Sequence, residues 1–360
     1  MLNLFISNGF LPQIDSQLHT EESLKVWVGG RLFRNPLGVA AGFDASGKST
    51  AQLLNLGFGF CEVGSCTNTT SSPESTLRIN KGQPEWTSAK NANSIPGTKA
   101  ILINNMRRIK SIRNSIVGVN IGLSEETMQT VPYLAEMDYM AGISEFSDSV
   151  DYLVINLTAP HSCIAVDQYK DKDILETLLM KLREKREKEL GIIAACEQEL
   201  VKDITRTDIP LISRMYRKPE LLTHIPPLLF LKVPCDMAKE QVINLGLLAE
   251  KYSIDGIIVA SQLVDKELHS KMQIDTLQTL YKTTNGNIPL ISVGGILDGK
   301  EAYKRIKAGA SLLQVCSGLL LEGPYIGIRI LRELHNEIKK EQISSIQEII
   351  GNDCKFLMKV

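Results

Sequence analysis

Leu290-Ile-Ser-Val-Gly-Gly295, joined by a helix-like stretch to Ala308-Gly-Ala-Ser-Leu-Leu-Gln-Val-Cys-Ser317, decides the fold. The runs 290–293 and 312–315 are short and almost continuously apolar, as parallel strands covered on both faces must be. Residues 302–308 between them carry a helical pattern, and each run ends in small or polar residues. The same unit recurs at 37–41, 60–64, 117–120, 152–157, 228–233 and 256–260, which makes eight candidate strands. Eight parallel strands separated by helices close into a (β/α)8 barrel of the TIM type. A doubly wound open sheet shares the βαβ alternation, but the strand count favours the barrel.

Ahead of the first barrel strand, 24–28 and 31–33 flank Gly29-Gly30, a pair suited to the positive φ angles of a tight hairpin. This short N-terminal β-hairpin is expected to plug the bottom of the barrel. The domain reading is therefore an N-terminal segment at 1–34 and a barrel at 35–360. A surface insertion is expected at about 181–227. It opens on Lys181-Leu-Arg-Glu-Lys-Arg-Glu-Lys-Glu-Leu190, whose mixed signs at helical spacing describe a solvated helix.

The 360 residues include 40 Lys and Arg against 41 Asp and Glu. Such a balance offers no field for a polyanion, so no nucleic-acid partner is expected. Seven cysteines, at 61, 66, 163, 196, 235, 316 and 354, are scattered and lack metal-ligand pairing, so they read as reduced thiols with no metal site. Residues 1–17 show neither a long apolar run nor an Arg-rich presequence, and a cytoplasmic chain without a transmembrane segment is the expectation.

Barrel enzymes react at the carboxyl ends of their strands and often hold phosphate in the loops after the seventh and eighth. Here those loops supply Gly294, Gly295 and Ser317, where glycine lets backbone N–H groups approach an anion. A tight turn without a ligand is the plain alternative. Other strand ends carry Ala41, Gly42, Gly64, Ser65, Asn120, Asn156 and Lys232. Small residues admit a flat ring, while the asparagines and lysine can meet the pyrimidine edge of a flavin. Taken singly, Asn156 can cap a turn and Lys232 can pair with a carboxylate such as Asp236.

These residues also carry a family likeness. Phe33-Arg-Asn-Pro-Leu-Gly-Val-Ala-Ala-Gly-Phe-Asp44, Gly57-Phe-Gly-Phe-Cys-Glu-Val-Gly-Ser65, Gly118-Val-Asn-Ile-Gly122, Asp151-Tyr-Leu-Val-Ile-Asn156 and Ser292-Val-Gly-Gly295 follow one another in order. From about Phe5 onward the chain resembles the class 2, quinone-dependent dihydroorotate dehydrogenases. That resemblance implies a barrel holding flavin mononucleotide (FMN), which takes hydride from dihydroorotate while a protein base removes a proton. The product is orotate for pyrimidine biosynthesis, and quinone reoxidises the flavin. Ala41, Gly42, Gly64, Ser65, Asn120, Asn156, Lys232, Gly294, Gly295 and Ser317 fall on or near the family's flavin contacts.

At the reacting end the sequence departs from the family. The family's basic serine falls on Ala159, and a methyl group accepts no proton. His161, Ser162 and Cys163 are the nearest substitutes. The lysine after Gly-Phe-Asp is Ala45, and the Asn-Arg-Tyr-Gly-Phe-Asn loop is Ser88-Ala-Lys-Asn-Ala-Asn93. The Thr-Asn-Thr motif reads Ala260-Ser261-Gln262, and the glycine-rich loop is missing between Val264 and Ile274. The family's membrane helices before the barrel are not seen, so quinone is not expected as a partner. The expectation is a dihydroorotate dehydrogenase-like pseudoenzyme with no catalytic residue, kept as a binding or structural protein for a small-molecule or protein partner. The alternative is an active FMN-dependent oxidoreductase with a relocated base.

Overall fold

The computed structural model describes residues 21–67, 75–80, 83–88, 116–123, 132–147, 149–158, 167–198, 226–261 and 266–355. Its centre is a closed barrel of eight parallel strands: β3 (Leu37–Val39), β4 (Phe60–Cys66), β7 (Ile116–Ile121), β8 (Tyr152–Asn156), β9 (Leu228–Pro234), β10 (Gly256–Ala260), β11 (Leu290–Val293) and β12 (Ala310–Val315). They neighbour one another in chain order, with β12 closing on β3. All eight expected strands are present, and closure removes the open-sheet alternative.

Helices between the strands form the outer layer. The one after β11, Gly299–Lys307, starts at Asp298, whose side chain accepts the backbone N–H of Glu301 at 2.8 Å. This cap satisfies a donor that the helix itself leaves unpaired. Ala302, Tyr303 and Ile306 form its buried stripe. The charge run from Lys181 lies within the helix Lys172–Gln198, whose Leu178, Leu179 and Leu182 are fully buried while Arg183, Glu184 and Glu187 face outward. Among the described residues no helix is long and apolar enough to cross a membrane.

The N-terminal hairpin pairs β1 (Val26–Val28) with β2 (Arg31–Phe33) across Gly29-Gly30, at φ 54° and 74°. Val26, Val28 and Phe33 turn inward. Arg31 donates to Asp151 at 3.1 Å and to the Pro226 carbonyl at 2.6 Å, immediately before β8 and β9 begin. The hairpin therefore caps the barrel's amino end, as expected. A second hairpin, β5 (Ser75–Asn80) with β6 (Gln83–Ser88), follows β4 and was not expected from the sequence.

Above the first hairpin the barrel interior is layered. The rings of Phe33, Phe60, Tyr152 and Phe230 make successive contacts with centroids 5.2, 6.3 and 5.2 Å apart. The last three each cover a glycine directly opposite on the neighbouring strand: Gly38, Gly118 and Gly256. A Cβ at these glycines would meet the rings at 2.5, 2.1 and 2.9 Å. Large rings seated on missing side chains thus fill the barrel bottom. Because inward-facing positions recur every second residue, the next layer includes the residues two places on from Phe60, Gly118 and Phe230, which are Glu62, Asn120 and Lys232.

Candidate functional site

Glu62 is the centre of that second layer and is fully buried. Its Oε1 accepts from Asn120 Nδ2 at 2.8 Å and from Lys232 Nζ at 3.2 Å, and its Oε2 accepts from Gln314 Nε2 at 2.7 Å. A carboxylate withdrawn from water needs such partners. The lysine's carboxylate is thus Glu62, not the exposed Asp236 that sequence proximity suggested.

From Asn120 the network climbs to the open end. Ser65 Oγ donates to Asn120 Oδ1 at 2.7 Å, and Asn156 Nδ2 donates to Ser65 Oγ at 3.4 Å. Asn156 Oδ1 accepts from the backbone N–H and hydroxyl of Thr158 at 2.9 and 2.6 Å, which holds its amide in one orientation. Ser65 is exposed and Asn156 half-buried, so this edge faces the mouth. Beside it, Gly42 N–H donates to Gly64 O at 2.8 Å, joining the turn after β3 to the end of β4 and bringing Ala41 and Gly42 to the same rim. Asp44 serves that turn: it accepts from Ser49 N–H at 2.9 Å and Thr50 Oγ at 2.8 Å, and burial pushes its carboxyl above the usual range. Ala45, half-buried, presents a methyl where the family likeness implied a cation.

At the far side, Gly294 and Gly295 follow β11 with φ 101° and 73°. Left-handed backbone of this kind suits glycine. A Cβ on Gly294 would meet Ser261 O at 3.0 Å, whereas among the described residues one on Gly295 would meet only Arg305 Nη2, at 3.7 Å. The turn is anchored from below: Gln273 Nε2 donates to Val293 O at 2.6 Å and to Val259 O at 3.3 Å, tying the ends of β10 and β11. Ser317 begins the short helix Ser317–Glu322 on the adjoining rim. Burial pushes the thiol of Cys316, its N-cap, up to about 12, partly opposed by Lys232.

All ten residues expected to line a flavin bed therefore stand at the carboxyl ends of the strands, and four of them, Ser65, Asn120, Asn156 and Lys232, belong to one network. Its hub Glu62, together with Gln314, Gln273 and Arg305, was not singled out from the sequence. The signal for the first was present, since a carboxylate within an apolar strand covered on both faces requires a buried partner. Ala159, His161, Ser162, Cys163 and Gln262 lie outside the described residues, as does the loop after Ser88. Where the family's glycine-rich loop was missed, the helix Lys266–Thr283 is already running. The donor set fits a flavin: amides and an ammonium under a small-residue rim, opposite an open left-handed glycine turn.

Residues 23–338 match the family described as dihydroorotate dehydrogenase. The quinone-type dihydroorotate dehydrogenase of Rhodospirillum rubrum is 31% identical over 342 residues, covering 90% of this chain and 82% of that protein. The mitochondrial quinone-type enzyme of Mus musculus is 27% identical, covering 97% and 84%. Among solved structures, the Eimeria tenella enzyme in complex with ferulenol superposes with a TM-score of 0.77 at 25% identity, over 98% of this chain and 94% of that one. Members of the family are FMN proteins of pyrimidine biosynthesis. With its closed barrel and ordered strand-end motifs, the chain belongs to the class 2, quinone-dependent dihydroorotate dehydrogenase family.

Proposed function

We propose that this chain binds FMN in the barrel mouth and no longer oxidises dihydroorotate, serving instead as a binding or structural protein. The observation that carries the proposal is an intact polar bed beside missing reactive groups. Asn120, Asn156 and Lys232 offer fixed donors. The Gly294-Gly295 turn offers backbone N–H groups to the phosphate, with Ser317 on the neighbouring rim. When bound, FMN supplies a two-electron acceptor; the protein's share of the family reaction is to orient the substrate and take its proton. At the position of the base stands Ala159, and at that of the nearby cation stands Ala45. General base catalysis contributes about a hundred- to ten-thousandfold, so its loss alone removes most of the turnover.

A second reading, an active FMN-dependent dehydrogenase with a base relocated to His161, Ser162 or Cys163, is supported by 31% identity to the Rhodospirillum rubrum enzyme over 90% of the chain. Quinone is the electron acceptor in that reading and has no task in the first. Anaerobic mixing of the FMN-loaded chain with dihydroorotate separates them. The expected result is bound flavin whose visible absorbance dihydroorotate does not bleach. Bleaching at a rate comparable with the catalytic relatives would overturn the loss of activity, and a chain that binds no FMN would overturn the flavin reading.

A further inference from the structure

We infer that Arg305 is the buried cation that sets the anion affinity of the Gly294-Gly295 turn, acting from beneath the turn, and that Glu301 moderates it; this rests on the flavin reading above. Arg305 is 1% exposed and is the largest fully buried side chain described. It lies on the helix Gly299–Lys307, where Lys304, one residue earlier, is exposed. Its guanidinium is held from three sides. Nε donates to Glu301 Oε1 at 2.7 Å, and Nη1 donates to Ser292 Oγ at 3.3 Å and to Gln273 Oε1. Ser292 is two residues before Gly294, and Gln273 holds the carbonyl of Val293, so the group that fixes the cation also fixes the turn.

The remaining nitrogen points the charge. Nη2 lies 3.7 Å from where a Gly295 Cβ would be, and, among the described residues beyond Gly295's own chain neighbours, no other atom comes within 4 Å of that point. Gly295 is itself exposed. The turn thus has solvent on one side and a buried guanidinium on the other. The counter-charge does not cancel it evenly, because the Glu301 side chain is 16% exposed and the Arg305 side chain 1%. Water screens the carboxylate more than the guanidinium, leaving a net positive field at the turn. Stability alone does not account for the arrangement, since a buried ion pair contributes little beyond what an apolar side chain of the same volume would. Arginine also stays charged at any physiological pH. Arg305 is thus a positioning residue.

The test compares FMN with riboflavin, which lacks the phosphate, by flavin fluorescence titration of the full chain freed of flavin, at low salt. Arg305→Met is expected to weaken FMN about tenfold, the scale of one partly buried charge interaction, and to leave riboflavin affinity unchanged. Arg305→Lys should restore part of the loss. Glu301→Gln, which keeps the size and removes the negative charge, should tighten FMN several-fold without changing riboflavin. This opposite sign is what a merely structural pair would not produce, and it keeps the inference testable if Arg305→Met does not fold. If Arg305→Met folds and either weakens both flavins equally or changes neither, the inference is overturned. Glu301→Gln weakening FMN would overturn it as well. A wild-type chain that binds both flavins with equal affinity overturns the inference and leaves the flavin reading standing, whereas one that binds neither overturns both.

Discussion

Lys232→Met takes the cation from Glu62 while keeping the length and most of the apolar stem of the side chain. Glu62 would remain wholly enclosed, with Asn120 Nδ2 and Gln314 Nε2 as its two neutral donors. Breaking a buried pair by removing one partner costs about 3–5 kcal/mol. With two hydrogen bonds to Glu62 still in place, the lower end of that range, about 3 kcal/mol, is expected. Adding Glu62→Gln should recover most of the loss, because a neutral amide needs no counter-charge. Urea unfolding followed by far-UV circular dichroism, on the wild type, both single variants and the double variant, measures all of this. A Lys232→Met penalty below about 1 kcal/mol at pH 7, or one that Glu62→Gln does not reduce, would refute the buried pair as the organiser of the barrel interior.

Gly294→Ala places a side chain at φ 101° and 3.0 Å from Ser261 O, and should cost about 1–3 kcal/mol together with FMN affinity. Gly191→Ala, at an exposed helical position where a Cβ meets nothing within 4 Å among the described residues, should instead stabilise by up to about 1 kcal/mol; differential scanning calorimetry reports both. With its thiol pushed up to about 12, Cys316 should be alkylated by iodoacetamide at pH 8 far more slowly than free cysteine, and the rate should keep rising with pH beyond 9, because the thiolate is the nucleophile. Peptide mass mapping follows it, and rapid labelling at pH 7 would contradict the raised thiol of this half-buried residue.

The eight barrel strands were legible because a strand covered on both faces must be apolar throughout. The first hairpin was legible from Gly29-Gly30. The second was not singled out, although Leu77, Ile79, Pro84 and Trp86 alternate with polar residues there; Ser75–Asn80 and Gln83–Ser88 are short and lack the continuous apolar run that marks the barrel strands. The strand-end residues of the site were legible as positions, since the fold alone sends them to one rim. Their partners were not. Glu62 reaches Lys232 and Gln314 across 170 and 252 residues of sequence, and no local pattern records such a meeting. Arg305 follows Lys304 on a helix and so reads as part of a solvated face. Only the packing of that helix beneath the glycine turn shows otherwise.

The ring layer at the amino end has a consequence for traffic. Phe60, Tyr152 and Phe230 are each about 1% exposed, and the hairpin's Phe33 closes beneath them. Among the described residues this layer leaves no ligand-sized opening at the amino end. A ligand seated in the barrel interior would then exchange at the carboxyl end, and its release rate should be set by whatever occupies that rim.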